Sequence, residues 1–184
     1  MISQTARRYS RVAMILHWLI ALLIVLNFIA IWVAEDMPKP QRMQIMANHK
    51  AIGITVLILT VVRIFWRVTR RPPPFQRTQQ PWERALAHAV HALFYFAMIG
   101  IPLTGWSMVS GGGPVSLFGL FSVPPLPVPT SEAASGTFFS VHEKLAWLMI
   151  ALFVLHVLGA LKHQFVDRDR TLGRMIPFLR APRG

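Results

Sequence analysis

Cysteine is absent from the chain. That excludes disulfides, thiolate-bound zinc or iron–sulfur centres, and covalent haem attachment through a C-x-x-C-H motif. Acidic residues are scarce as well, with 7 Asp and Glu against 19 Lys and Arg. Charged residues make up 14% of the chain, well below the roughly 25% usual in soluble domains. The shortage of charge is local, because residues 13–34 contain no Asp, Glu, Lys or Arg. A run of about 20 such residues spans a hydrocarbon core. Three arginines precede it, as in a signal peptide, but the run is too long for an h-region and more spans follow.

What is present is apolar and periodic. The chain is 54% hydrophobic, and four spans can be drawn at about 13–34, 46–66, 82–108 and 138–164. They predict an all-α, integral membrane four-helix bundle, with residues 1–184 as one membrane domain. The net charge of +12 is placed asymmetrically. Three arginines lie before the first span, five between the second and third, and six basic residues at or after the end of the fourth. The positive-inside rule then places both termini and the middle connection in the cytoplasm. The basic surplus therefore reads as a topology signal facing membrane lipids, and no nucleic-acid partner is expected.

The connection 70–81 is rich in Pro and Arg and reads as extended. The outer segment 110–136 opens with three glycines and is apolar and Pro-rich, which suits either a membrane-hugging linker or a lid over the bundle. In the third span Gly100, Pro102 and Gly105 invite a kink or a close helix approach. The tail from Asp167 reads as a basic segment at the inner surface.

Seven histidines remain as the chemical signal. His142 and His156 are fourteen residues apart, a rise of about 21 Å, and they share a helix face to within about 40°. Ionisable residues inside spans default to a functional reading. With the topology above, His49 and His142 form an outer layer. His17, His88, His91 and His156 form an inner layer, with His163 at its edge. Two axial imidazoles hold a b-type haem, so the outer layer offers one pair and two stacked haems are expected. The inner layer offers more ligands than one haem needs, and spacing leaves that pair open, with His156 the safest member. Arg63, four residues before the inner end of span two, suits snorkelling to the interface or pairing with a haem propionate. Gly53, one turn from His49, suits either a flat macrocycle or ordinary helix packing.

Taken in order, the residues resemble the bacterial cytochrome b561 family. They are His17-Trp18 after an Arg-rich start, His49-Lys50 with Gly53, Val62-Arg63, Ala87-His88 with His91, His142-Glu143, and His156 with His163. The likeness covers nearly the whole chain. It implies a multi-pass protein of the bacterial inner membrane with two b haems. The inner haem would be held by His17 and His156 and the outer by His49 and His142, while His91 and His163 would line a ubiquinone site. Some family members are superoxide oxidases. The activity implied is thus an oxidoreductase passing electrons from periplasmic superoxide through two haems to ubiquinone.

Two other readings are weighed. One is a quinol-linked carrier exchanging electrons with a periplasmic redox protein. The other is a histidine-lined metal transporter, although a metal path would want acids between the histidine layers and the spans carry them only near their ends. For superoxide, Lys50 and Lys144 beside the outer histidines offer local attraction, yet acids and bases on the outer side cancel.

Overall fold

The computed structural model describes residues 8–70, 72–74, 79–169 and 171–176. Arg7, Arg71, Arg77, Arg170, Arg180 and Arg183, which contribute to the charge asymmetry, lie outside the described residues. So do parts of the 70–81 connection and of the tail.

Four long helices form, α1 (Arg11–Glu35), α2 (Lys39–Thr69), α3 (Pro81–Val109) and α4 (Glu132–Phe165). All four are long and apolar enough to cross a membrane, and each extends beyond its expected span. Their starts have local causes. Ser10 and Ser131 accept from the backbone N–H of Ala13 and Ala134, satisfying donors that a helix start leaves open. At α3, Pro81 enters the first turn, and Gln80 and Glu83 form a capping box. The three residues between α1 and α2 force these helices to run antiparallel.

Outward-facing side chains are apolar rather than polar, including Leu22, Trp32, Phe65, Phe96 and Phe153. A helix hydrophobic all round is expected in lipid. Few side chains are buried. The central cluster of Ile20, Val56, Ala97, Met98 and Met149 takes at least one residue from every helix. Close backbone packing joins α1 to α2, α2 to α3 and α3 to α4. Among the described residues, neither α1 with α4 nor α2 with α4 packs to that extent.

Both chain ends and the α2–α3 connection meet at one end of the bundle. Tyr9 N–H donates to the Arg174 carbonyl, Trp18 Nε1 to the Met175 carbonyl at 2.9 Å, and Trp66 Nε1 to Ser10 Oγ at 2.9 Å. This is the arginine-rich end. At the opposite end, segment 110–136 is more ordered than a linker. It contains the antiparallel hairpin β1 (Val115–Leu117) and β2 (Phe121–Val123), with Val115 opposite Val123. Phe118 and Gly119 both have positive φ, 55° and 78°, as the tight turn of a twisted hairpin requires. Trp106 Nε1 holds the Pro124 carbonyl at 3.1 Å, and Ser110 Oγ accepts from Leu126 N–H at 3.0 Å. These bonds tie the segment back to α3, and β1 packs on α2.

Candidate functional site

The two histidine layers assemble across the loosely packed interfaces. His49 on α2 meets His142 on α4 with ring centroids 6.1 Å apart and ring planes at 72°. His17 on α1 meets His156 on α4 at 6.2 Å, again at 72°. Two metal–nitrogen bonds of about 2 Å, plus about 1 Å from each nitrogen to its ring centre, put coaxial imidazoles about 6 Å apart. Both pairs therefore have the separation that a shared metal would demand. The core cluster of Ile20, Val56, Met98 and Met149 lies between the layers, since Met149 is midway along α4 between His142 and His156.

His142 is held by α3. Its Nδ1 donates to the Ile101 carbonyl at 2.8 Å. A carbonyl only accepts, so the proton sits on Nδ1 and Nε2 keeps a lone pair suited to a metal. Ile101 also accepts from Thr104 Oγ1 at 2.9 Å, beside Pro102, which supplies no N–H. Gly105 completes the seat, because a Cβ there would lie 3.0 Å from His142 Cε1 and 3.1 Å from Nδ1. The expected close approach at Gly105 is thus made by the imidazole. At Gly100 it is made by Leu145, whose Cδ1 would stand 2.9 Å from an added Cβ. Gly105→Ala is expected to displace the His142 ring and cost about 1–3 kcal/mol of overpacking. Visible spectra of purified variant and wild type check this; an unchanged cofactor spectrum would refute it.

Facing His142, the His49 backbone carbonyl accepts from Asn27 Nδ2 at 3.4 Å. His49 Nδ1 is buried with no hydrogen bond of normal length, the Asn27 backbone acting on it from further off. A cavity of about 500 Å³ opens around the pair, lined among others by Gly53, Met149 and the hairpin residue Val115. An added Cβ at Gly53 would meet nothing within 4 Å, so ordinary helix packing does not explain that glycine. Through Val115 the hairpin contributes to the wall of this cavity.

The second layer is more crowded. His91 also approaches His156, with centroids 5.6 Å apart, and Phe94 stacks edge-on at 5.5 Å. His88 is exposed on α3. Arg63 acts electrostatically on His17, His91 and His156 and donates from Nε to the Tyr95 hydroxyl at 3.2 Å. It lines a second cavity of about 500 Å³ at the arginine-rich end, together with Arg8, Arg67 and Arg70. Thr60, one turn before Arg63, is fully buried with no partner for its hydroxyl. The cavity around His49 and His142 fits a flat, metal-centred group, and the arginine-lined cavity beside the other pair fits acidic substituents of such a group. The imidazole pairs would hold the metal, the orphaned polar atoms and open space at Gly53 would receive the ring, and the arginines would face the acids.

His163 lies apart from the ring cluster. Its Nδ1 is 2.9 Å from Asp167 and 3.1 Å from Asp169. Lys162 bridges Glu83 and Asp167, and that ammonium holds the Asp167 carboxyl below the usual carboxylate range. Sequence reading missed Ile101 and Thr104 as the support of His142, since a backbone acceptor has no sequence signature. Asn27 did carry a signal, as an amide within an otherwise apolar run.

Comparison with known proteins agrees along the chain. Residues 8–178 match the model of a family described as prokaryotic cytochrome b561. Cytochrome b561 homolog 2 of Escherichia coli K12 is 32% identical over 95% of this chain and 94% of its own length. The probable superoxide oxidase CybB of Yersinia pestis is 29% identical over 93% of this chain and 97% of its own. Cytochrome b561 homolog 1 of Escherichia coli K12 is 26% identical over 92% and 97%.

Proposed function

This chain belongs to the prokaryotic cytochrome b561 family, and from that premise we propose that it is a di-haem superoxide:ubiquinone oxidoreductase. Membership makes it a multi-pass electron-transfer protein of the bacterial inner membrane and implies b-type haem. It also favours electron transfer over a metal-conducting path. In our reading the whole chain is one membrane domain whose arginine-rich end faces the cytoplasm.

The observation that carries the proposal is the pair of histidine couples, 6.1 and 6.2 Å apart, on either side of an apolar plug. His49 and His142 would hold one haem, and His17 and His156 the other. His91 also stands near His156, at 5.6 Å, and in our reading it takes a role other than ligation. Bound in these seats, b haem supplies one-electron iron redox chemistry.

The remaining work falls to the chain. Ile101 fixes the His142 tautomer, and Gly105 leaves room for its ring. Arg63 pairs with a propionate and neutralises it. Two superoxide anions each give up one electron and leave as O₂; one ubiquinone takes two electrons and two protons to become ubiquinol. His91 and His163 line the quinone site, and His91 passes it those protons from the cytoplasmic side. Lys50 and Lys144 draw superoxide locally, because the outer face as a whole carries no net charge.

A second reading is favoured by the hairpin, whose tip exposes Phe118, Leu120 and Phe121. Such a surface suits a periplasmic redox protein, making the chain a quinol-linked carrier. The deciding experiment records reduced-minus-oxidised spectra and the haem-to-protein ratio of purified protein, then adds enzymatically generated superoxide and ubiquinone in turn. Two b haems, reduced by superoxide and reoxidised by ubiquinone, are expected. Two haems indifferent to superoxide would transfer the assignment to the carrier, and absence of haem would overturn both.

A further inference from the structure

Seven acids serve the whole chain, and only Glu83, Asp167 and Asp169 lie at its arginine-rich end. All three come together there. Lys162 joins Glu83 to Asp167, and His163 joins Asp167 to Asp169. With so many arginines nearby, chance ion pairing would scatter these carboxylates among guanidinium partners. Instead two of them converge on one imidazole nitrogen.

The contacts around that nitrogen are unusual. His163 Nδ1 is buried, and although two carboxylate oxygens stand 2.9 and 3.1 Å away, neither lies in line for a hydrogen bond. The side chain of Asp169 is only 5% exposed. Its Oδ1 accepts from Thr171 N–H at 2.7 Å, which leaves Oδ2 aimed at His163 with no hydrogen-bond partner. Two buried polar atoms left unsatisfied side by side call for a missing third party. The ligand atoms of His163, Asp167 and Asp169 lie within 4.8 Å of one another. Ligands about 2.0–2.2 Å from one tetrahedral ion sit roughly 3.3 Å apart, close to the two separations observed.

Behind the imidazole, the buried amide of Gln79 places Nε2 3.5 Å from His163 Nε2, while its Oε1 has no partner. Amide N and O exchange on a half-turn. In the reversed setting Oε1 accepts from His163 Nε2–H, fixing the tautomer whose Nδ1 carries the lone pair. Metal-ligating histidines are supported in this way.

We propose that His163, Asp167 and Asp169 bind one divalent cation of the zinc class at the cytoplasmic end of α4. An imidazole with two carboxylates selects Zn(II), Mn(II) or Co(II) over thiolate-seeking Cu(I), and the imidazole disfavours Mg(II). Lys162 opposes the ion by repulsion, but Glu83 is its alternative partner, so it need not leave the cluster to make room. The cation clamps the chain leaving α4 onto the helix it has just left. The proposal stands independently of the haem assignment, since it uses none of the histidines in the two pairs; with both ring nitrogens of His163 engaged, the quinone's protons come by way of His91.

The test is equilibrium dialysis of the purified, chelator-treated full-length protein, with its haem bound, against radioactive zinc. One equivalent is expected to bind. Asp169→Asn and His163→Gln are each expected to weaken it by about 10- to 100-fold or more, and Glu83→Gln to retain it. The visible haem spectrum reports whether each variant is folded; where Asp169→Asn fails to fold, His163→Gln decides. Zinc adventitiously held by the paired histidines would survive both substitutions. No saturable equivalent in wild type, or undiminished binding in a folded His163→Gln variant, overturns the site.

Discussion

Replacing His142 by alanine is expected to halve the haem content, from two per chain to one, while the other haem keeps its spectrum. The reasoning is geometric. His142 shares its layer with His49 alone, at 6.1 Å, so no other imidazole stands in reserve. Its ring is seated by two features of α3, the Ile101 carbonyl at 2.8 Å and the space left by Gly105. Alanine removes the ligand, leaves the Ile101 carbonyl to Thr104 Oγ1 alone among side chains, and enlarges a cavity already about 500 Å³ in volume. The other pair lies across the apolar plug from this seat. Quantifying extracted haem against protein checks the result. Two haems retained at wild-type potentials would show that His142 is a structural histidine, satisfied by its backbone bond.

His156→Ala is expected to have a comparable effect on composition and a larger one on turnover. It should cost one haem and abolish superoxide-driven ubiquinone reduction, while superoxide still brings up the reduced spectral band of the haem that remains. His156 is where three imidazoles meet, with His17 at 6.2 Å and His91 at 5.6 Å. The 6.2 Å separation is the nearer to that of two ligands on one metal, so His91→Ala is the matched control. That variant should keep both haems and lose quinone reduction in part, because His91 serves protons rather than iron. If His91→Ala loses the haem and His17→Ala does not, the ligand on the facing helix is His91 and the quinone role must be reassigned. Both variants are read by the same two measurements, haem content and the rate of ubiquinol formation, so loss of cofactor and loss of turnover stay distinguishable.

The histidine layers show where sequence reasoning reaches and where it stops. His49 and His142 were legible because each lies near the same end of its span and the layer holds no third candidate. For the inner layer, depth alone admitted His17, His88, His91 and His156, since depth says nothing about the direction in which a helix turns its face. Packing supplied that direction, pointing His88 outward and bringing His17 and His91 to His156. The hairpin at residues 115–123 was hidden for a different reason. Its apolar alternation is too short to stand out from a membrane-facing loop, and its turn places Phe118 in a backbone conformation that phenylalanine rarely adopts.

By itself the sequence determined four spans, the crowding of basic residues at one end and the recurrence of histidine at two depths. Those follow from burial of apolar side chains in lipid and from the helical repeat, which depend only on neighbours along the chain. The tertiary structure alone decided which imidazoles face one another and that Ile101 and Gly105 seat one of them. It also decided that Glu83 from α3 and Asp167 and Asp169 from the segment after α4 converge on Lys162 and His163. Those relations depend on interhelical distances and on backbone carbonyls, and no linear pattern of residue types encodes either.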